Sequence, residues 1–465
     1  MEKKQPKLGT DPISKLLWIF APPAIIGLLI NASYNLIDRI FVGNGIGAQG
    51  LAAITVSFPS MISQLALGLM VGIGGSVNFS VSLGQKKIPR AEKILTNAVM
   101  LIVIFALLFI TVHLLFLEPL LKLYGATATI MPYAKTYLSI ISLGSIFMMT
   151  NMTLNNFIRA SSFPHFAMYT MLIGAITNTI LDVLFIFVFH WGIAGAAWAT
   201  VIAQSISFFW AASFFISSKA VYRFRKKHMR LSLKIVLMIC FVGTAPFLIQ
   251  ITHGFMQAIV NTSLIQYGGD VAVSAMGATL AVTILLFMPV TGLCEGMQPV
   301  IGFNLGAQKY DRMLKIFRLN LVLSTLFFIF GWLVLQIYPE EIIRTFNDRD
   351  AELIKIGTES LKIISLLYPF IGLPIATTFF LQAVKHPRAA TFLSVGRQLM
   401  FIIPALFILP RYLGLNGVFY AFPAADVFGF LIAVPFTVHQ FRKYRKMERE
   451  IRLKEAAFLS LAKPS

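Results

Sequence analysis

Four acidic residues lie inside apolar stretches of the sequence that are long enough to cross a lipid bilayer. They are Asp38, Asp182, Glu295 and Asp426, and the basic residues Arg39 and Arg397 lie in similar stretches. An ionised side chain at the centre of a bilayer costs about 2.5–3.5 kcal/mol, so each acid requires a partner or a function. These acids are therefore the first candidates for chemistry in this chain.

The first acid belongs to a stripe of polar residues at helical spacing. Asn31, Asn35 and Asp38 follow one another by three or four residues, and Tyr34 lies beside them. Residues three or four apart share one face of a helix, so the stripe presents an acid and two amides together. Asn31, Tyr34 and Asn35 are accordingly candidates for lining a substrate cavity.

A second polar set lies around Asp182. Asn178 precedes it by four residues, and Thr200 and Gln204 are four apart in the next apolar stretch. An α-helix rises about 1.5 Å per residue, so the depth of a residue can be counted from the polar segment at the end of its span. By this count, Asp38, Asp182 and Thr200 all lie in the outer half of the membrane. Carboxylate, amide and hydroxyl oxygens are hard ligands that suit a proton or a small cation such as Na⁺. We therefore predict a cation site formed by Asp38, Asn178, Asp182 and Thr200. Gln204 is a further candidate for lining the substrate cavity.

The composition requires these stretches to be membrane spans. Of 465 residues, 57% are hydrophobic and only 12% are charged, whereas about a quarter are charged in a soluble domain. This excludes a disordered chain, a nucleic-acid-binding domain and an ordinary cytosolic enzyme. The two cysteines, Cys240 and Cys294, both lie in apolar stretches, which excludes a disulfide framework and a zinc motif.

About twelve spans follow from the length of helix that a bilayer requires. They are predicted near 15–41, 51–80, 94–117, 131–156, 165–189, 193–217, 235–261, 272–302, 316–338, 354–381, 389–410 and 415–438. The first is too long for a signal-peptide core and is interpreted as a retained span. Basic residues are concentrated in alternate loops, which places both termini in the cytoplasm and the chain in the plasma (cytoplasmic) membrane.

The sequence is internally duplicated. Ser82-Leu-Gly-Gln-Lys recurs as Asn304-Leu-Gly-Ala-Gln-Lys, and Gly192-Ile-Ala-Gly recurs as Gly414-Leu-Asn-Gly, with further pairs at nearly the same offset in the numbering. Six spans per copy give both halves the same orientation. We predict an all-α membrane protein with two six-helix lobes, at 1–225 and 226–440, and a basic cytoplasmic tail at 441–465.

The second copy repeats the apolar stretches of the first copy but not Asp38 and Asp182. At the repeat offset, Asp38 corresponds to Asn261–Thr262 and Asp182 corresponds to Ala405. Carboxylates that were needed only for packing should occur in both copies, which favours a function in the first copy. A buried aspartate that merely accepts hydrogen bonds from the backbone and Tyr34 is the alternative.

The second copy offers other polar residues. Glu295 either attracts cationic substrates in a central cavity or pairs with Arg397, while Asp426 is expected to be a hydrogen-bonded acid between helices. Gln257 is a further candidate for the cavity, with His253 nearby as a core histidine.

The motifs Asn35-Leu-Ile-Asp38-Arg-Ile-Phe-Val-Gly and Asn178-Thr-Ile-Leu-Asp182 resemble the first-span and fifth-span motifs of the MATE (multidrug and toxic compound extrusion) family. The resemblance covers essentially the whole chain and implies two six-helix lobes with alternating access. It also implies a cation site in the first lobe, at Asp38, Asn178, Asp182 and Thr200. Pro22 falls where some relatives bend the first helix.

These observations predict a secondary active exporter rather than an enzyme. It would couple inward flow of Na⁺ or H⁺ to efflux of small organic compounds, with cationic or lipophilic drugs and dyes as the expected substrates, and it would need no cofactor. A monomer in the lipid bilayer, without nucleic acid, is expected. A flippase for lipid-linked precursors and an integral-membrane enzyme are the alternatives. A flippase is disfavoured because the sequence contains few membrane-embedded basic residues. An enzyme is disfavoured because the sequence contains no catalytic motif.

Overall fold

A computed structural model describes residues 7–217, 220–225, 229–346 and 348–461, with side chains described as far as Lys454. Part of the predicted basic tail (462–465) lies outside the described residues. The described chain is built from helices. Those of the first copy are α1 (Ile13–Gly45), α2 (Ala48–Gly84), α3 (Ile88–Leu115), α4 (Leu117–Leu123), α5 (Met131–Ala160), α6 (Pro164–Asp182) and α7 (Gly192–Ile216).

The second copy has the same order of long and short helices. They are α8 (Leu233–Gly306), α9 (Tyr310–Ile337), α10 (Pro339–Arg344), α11 (Ala351–Ser365), α12 (Tyr368–Ala383), α13 (Pro387–Gly396), α14 (Ile403–Leu413) and α15 (Leu415–Leu461). Two π-helical turns interrupt this pattern, at Val183–Val188 after α6 and at Arg397–Ile402 between α13 and α14.

The helices account for the predicted membrane spans. Within the described residues, ten helices are long and apolar enough to cross a membrane, and α11 with α12 forms a further span bent by 57°. Helix α8, one of the ten, has 74 residues and contains a non-helical residue, Gly269, near its middle. Because each part of α8 is long enough to cross the bilayer, it contains two spans. The twelve predicted spans are thereby confirmed.

Several helices begin with proline in their first turn. Proline has a fixed φ and no N–H, which suits it to a position where the N–H has no partner in the helix. Prolines of this kind start α3, α5, α6, α10 and α13. These prolines define where each helix begins. They therefore also define how deep in the membrane the later residues of the helix lie.

The duplication extends to the backbone of the turns. Residues with positive φ recur at the repeat offset, or one position from it, in four pairs: Gly47 and Gly269, Lys86 and Gln308, Ser162 and Lys385, Gly192 and Gly414. The φ values of Lys86 and Gln308 are 57° and 56° although their side chains differ. A left-handed residue is unfavourable unless the turn requires it, so the two copies share their turns as well as their helices.

The chain forms two compact units. The first contains Trp18–Ser80 and Lys87–Gly254, and the second contains Pro6–Leu17, Val81–Lys86 and Phe255–Ser465. A buried cluster in the first unit brings together Val42 of α1, Tyr137 of α5 and Ile193 of α7. A larger one in the second unit is centred on aromatic and aliphatic side chains of α8, α9, α12 and α15. Helix α1 contributes its start to the second unit and the rest to the first.

Candidate cation site

In the first unit, the carboxyl groups of Asp38 and Asp182 lie close enough to influence each other electrostatically. Asp38 lies in the last third of α1, and Asp182 is the last residue of α6, where its side chain is completely buried. Two neighbouring carboxylates repel each other strongly in a medium of low dielectric constant. The pair is therefore stable only when a proton or another cation reduces its charge.

Four buried oxygens of this region have no hydrogen-bond donor within the described structure. They are Asp38 Oδ1, Asn178 Oδ1 and both carboxylate oxygens of Asp182. Buried acceptors are nearly always satisfied in folded proteins, and each exception requires an explanation. Carboxylate and amide oxygens are acceptors whose chemistry suits a proton or a hard cation.

Asn178 is oriented by the neighbouring helix. Its Nδ2 donates to Thr200 Oγ1 over 3.4 Å, and Thr200 Oγ1 donates to the carbonyl of Ala196 over 3.0 Å. Since the hydroxyl proton of Thr200 is engaged by Ala196, the hydroxyl can accept from Asn178 but does not compete as a donor. The Asn178 amide is thus held with its nitrogen toward α7 and its oxygen unpaired.

The helix widens immediately after Asp182. The π-helical turn Val183–Val188 begins at the next residue, and the buried residues Phe185 and Ile186 of this turn belong to the core of the first unit. A π-helical turn shifts the register of the following residues and is frequent at functional sites. It leaves Asp182 at the end of the regular helix, where the α-helical pattern of side chains stops.

Two tyrosines and an arginine surround the acids. Tyr34 and the buried Tyr137 lie within the electrostatic influence of both Asp38 and Asp182, and Arg39 acts on Asp38. Tyr137 was missed by the sequence reasoning. Its place in the second turn of α5, at the same predicted depth as the other members, was the signal that could have identified it.

The contacts of the remaining candidates are different. Asn35 donates to the carbonyl of Asn31 over 2.7 Å, within α1, and Gln257 donates to Asn261 over 3.1 Å, within α8. Gln204 in α7 and Glu295 in α8 are half-buried. The hydrogen bonds of Asn35 and Gln257 each lie within one helix. The hydrogen bond between Asn178 and Thr200, in contrast, joins two helices.

Pro22 lies inside α1 together with Pro23, between the start of the helix and Asp38. Each proline removes one backbone hydrogen bond and crowds the preceding turn, which weakens the helix against bending. The predicted position of a bend thus coincides with a double proline.

The second unit contains a different charged pair. Arg397, the first residue of the second π-helical turn, donates to the carboxylate of Asp426 in α15. Asp426 is almost fully buried, and Gly429, one turn further along α15, leaves the space in which the arginine stem lies. Asp426 is therefore the hydrogen-bonded acid between helices that the sequence predicted, and it is the acid to which Arg397 is paired.

No group of three or more histidine, cysteine or acidic side chains that could hold a metal ion occurs among the described residues. The carboxylates of the first unit are accompanied instead by an amide and a hydroxyl. This donor set is neutral apart from the two acids.

Relatives of the chain are membrane exporters. The Multidrug export protein MepA of Staphylococcus saprophyticus is 26% identical over 417 residues, which cover 89% of this chain and 91% of the relative. The protein of the same name from Staphylococcus haemolyticus is 26% identical over 430 residues, covering 92% and 94%.

Solved structures give the same result. The MATE multidrug transporter DinF-BH, in complex with rhodamine 6G, superposes with a TM-score of 0.88 at 33% identity and covers 94% of this chain and 98% of its own. A MATE transporter in an outward-facing conformation superposes with a TM-score of 0.88 at 20% identity, covering 96% and 100%, and shows the fold.

The MatE family model matches twice, at residues 23–184 and 245–407. The starts of the two matches are separated by the offset of the internal duplication, and together the matches cover more than half of the sequence. The chain therefore belongs to the MatE family of membrane transporters, as its motifs predicted.

Proposed function

We propose that this transporter is a secondary active exporter that couples entry of a proton or Na⁺ to the efflux of organic compounds. The observation that carries the proposal is the set of four buried acceptor oxygens without a donor on the neighbouring residues Asp38, Asn178 and Asp182, which a bound cation would satisfy. Both termini are proposed to lie on the cytoplasmic side of the cytoplasmic membrane, and the protein to act as a monomer.

The coupling step follows from charge. With the site empty, Asp38 and Asp182 repel each other, which favours their separation. A cation that enters from outside neutralises one charge and draws α1 toward the end of α6. Because Asp38 lies beyond the double proline of α1, movement of this carboxylate bends the helix at Pro22 and Pro23. The bend changes the surface that the first unit presents to substrate and favours substrate release.

The membrane potential is sufficient to drive this cycle. One elementary charge that crosses 100 mV releases about 2.3 kcal/mol, before any concentration gradient is added. That energy corresponds to a shift of roughly fifty-fold in an equilibrium between two conformations. The cycle then ends when the cation is released to the cytoplasm.

The substrate class is proposed from the relatives. Two of them are named multidrug export proteins, and the structure of DinF-BH was determined with rhodamine 6G. Lipophilic organic cations are compatible with a chain that contains 42 phenylalanines and 19 methionines, since aromatic faces and flexible thioethers adapt to varied apolar cations. The names of these relatives do not favour the flippase alternative.

The test uses purified protein in liposomes and a fluorescent cationic dye. A Na⁺ gradient and a pH gradient are imposed separately, on the wild type and on the double variant Asp38→Asn/Asp182→Asn. We expect dye export with one of the gradients, which identifies the coupling ion, and at least a hundred-fold loss in the double variant.

A matched control is Asp270→Asn, which changes an exposed aspartate outside the cluster. It should export dye at the wild-type rate. Gradient-driven export that persists in the folded double variant would refute the role of the two acids, and absence of export by the wild type under both gradients would refute the proposed function.

A further inference from the structure

The beginning of α1 belongs to a different unit from the acid that α1 carries. Residues Pro6–Leu17 are part of the second unit, whereas Asp38 lies in the first unit. Helix α1 runs without interruption from Ile13 to Gly45. A helix with its start in one unit and its remainder in the other transmits movement between them only if its start is held. The contacts at the start of α1 show whether this is so.

Three side chains of the second unit bind the segment before α1 through its backbone carbonyls. Asn304 Nδ2 donates to the carbonyl of Leu8 over 3.1 Å, and Lys309 Nζ donates to the carbonyl of Gly9 over 2.7 Å. Arg312 donates through Nε to the carbonyl of Leu8 over 3.3 Å and through Nη2 to the carbonyl of Asp11. Arg312 is the member that joins two parts of the segment.

The bound segment is itself folded and packed. The N–H groups of Thr10 and Asp11 both donate to the carbonyl of Lys7, which closes a turn. The carboxylate of Asp11 accepts from the N–H of Lys7 over 3.2 Å and pairs with Lys15 at 3.1 Å. Leu8 is almost completely buried, and Leu16, in the first turn of α1, is completely buried. The segment thus has an apolar anchor as well as hydrogen bonds.

The binding residues belong to a repeated motif, but they act differently in the two copies. Asn304 and Lys309 delimit the sequence Asn304-Leu-Gly-Ala-Gln-Lys, and Arg312 corresponds to Arg90 at the repeat offset. Arg90 contacts the sulfur of Met238 at 3.9 Å, whereas Arg312 binds two backbone carbonyls. Asn304 is replaced by Ser82 in the first copy. Among the described contacts, the arginine of this motif thus binds backbone carbonyls in the copy that receives the start of α1 and a methionine sulfur in the other copy.

We infer that Arg312, together with Asn304 and Lys309, anchors the start of α1 in the second unit, so that α1 is the tether that transmits occupancy of the cation site. Arg312 is a positioning residue, because it acts through α1 and not on the cation. Pro22 and Pro23 lie between the anchored start and Asp38. When Asp38 moves and the start of α1 is fixed, the helix bends at these prolines. If the start were free, the whole helix would tilt and would not bend.

This inference rests on the proposed function, and the experiment separates the two. Amide hydrogen exchange of residues 7–17 reports whether the segment is held. The double variant Asp38→Asn/Asp182→Asn imitates a neutralised cation site. Exchange is measured in four proteins: the wild type, the neutralised variant, Arg312→Ala, and the combination of both changes. The combination tests whether the site and the anchor are coupled.

We expect neutralisation of the acids to change the exchange of residues 7–17 at least threefold when Arg312 is present and not at all in the Arg312→Ala background. Gradient-driven dye export should fall at least tenfold in Arg312→Ala, while equilibrium dye binding stays within twofold of the wild type. Lys315→Ala is the control, since Lys315 is a neighbouring cation of α9 whose partner is Asp311. It removes the same charge and should leave export unchanged.

The conservative variant Arg312→Lys tests the geometry, because lysine keeps the charge but cannot join two carbonyls as the guanidinium does. It should export at an intermediate rate, and it replaces Arg312→Ala if that variant does not fold. Wild-type export by an Arg312→Ala protein with a released segment would overturn the inference, and so would equal loss in Lys315→Ala.

Different results would contradict the proposed function and the anchoring of α1. Failure of the wild type to export dye under either gradient would overturn the proposed function, and the inference with it. A wild type that exports but shows no coupling between the acids and residues 7–17 would overturn the inference alone.

Discussion

Asn178 donates its side-chain amide to the hydroxyl of Thr200 over 3.4 Å, and this bond fixes the orientation of the amide beside the two acids. The hydroxyl is itself directed to the carbonyl of Ala196. The oxygen of Asn178 consequently remains an unpaired buried acceptor one helical turn from Asp182. The neutral members of the site are thus positioned by contacts between α6 and α7.

Replacing Thr200 by valine should weaken the cation site without abolishing it. The substitution keeps the shape but removes the acceptor, which leaves the buried amide nitrogen of Asn178 unsatisfied at a cost of about 1–3 kcal/mol. The apparent affinity for the coupling ion, measured from the ion dependence of dye export in liposomes, should fall about tenfold. Thr200→Ser keeps the hydroxyl and should stay within about threefold of the wild type. Equal behaviour of the two variants would contradict the role of the hydroxyl.

Neutralising Asp182 should stabilise the protein while it prevents transport. Asp182 is completely buried against another acid, and removal of one charge relieves the repulsion and the cost of burial, by up to about 3 kcal/mol. In Asp182→Asn the new amide can also donate to Asp38. Thermal unfolding in detergent should therefore show a higher midpoint than in the wild type, together with loss of dye export. A lower midpoint would indicate that the ionised acid supports the fold.

The sequence was sufficient to predict the spans and the duplication, and it singled out the two acids as candidates. Each depends on a strong local signal: long apolar stretches, a constant offset between repeated words, and charges in apolar surroundings. The constant rise of a helix per residue places Asp38 and Asp182 at a similar depth, so that they could meet.

Other features were inaccessible because they depend on packing between helices. The π-helical turn after Asp182 has no distinctive composition, since Val183–Val188 is an ordinary apolar sequence. The sequence suggested Glu295 as a partner for Arg397 and did not identify Asp426 in that role, because rotation of a buried helix is set by its neighbours. The contacts of Arg312 with residues 8 and 11 join positions that are 304 and 301 residues apart in the sequence. No local sequence pattern indicates such a contact.

The pair formed by Arg397 and Asp426 should be structural. Asp426→Asn leaves a largely buried guanidinium without its counter-charge, and breaking a buried pair typically costs about 3–5 kcal/mol. The double variant Arg397→Met/Asp426→Leu removes both charges and should recover most of that loss, as followed by thermal unfolding. Dye export by the double variant should remain measurable. Loss of export in a double variant of wild-type stability would instead assign this pair a part in transport.

The crossing of α2 and α8 in the first unit should tolerate only glycine at position 243. A Cβ at Gly243 would lie 1.9 Å from the carbonyl oxygen of Met70, and one at Gly74 would lie 2.2 Å from the carbonyl oxygen of Ile239. Both obstacles are backbone atoms, so neither can rotate away, and the helices must separate to accept even a methyl group. Close approach of backbones through small residues is a main source of packing energy between membrane helices.

Gly243→Ala should therefore destabilise the protein by at least about 2 kcal/mol, at the upper end of the cost of overpacking. Gly277→Ala is the matched control, because Gly277 lies in the same helix and a Cβ there would meet no atom within 4 Å. It should be neutral or slightly stabilising, since alanine has the higher helix propensity. Thermal unfolding of both variants in one detergent decides the matter, and equal midpoints would show that α2 and α8 can adjust their separation at little cost.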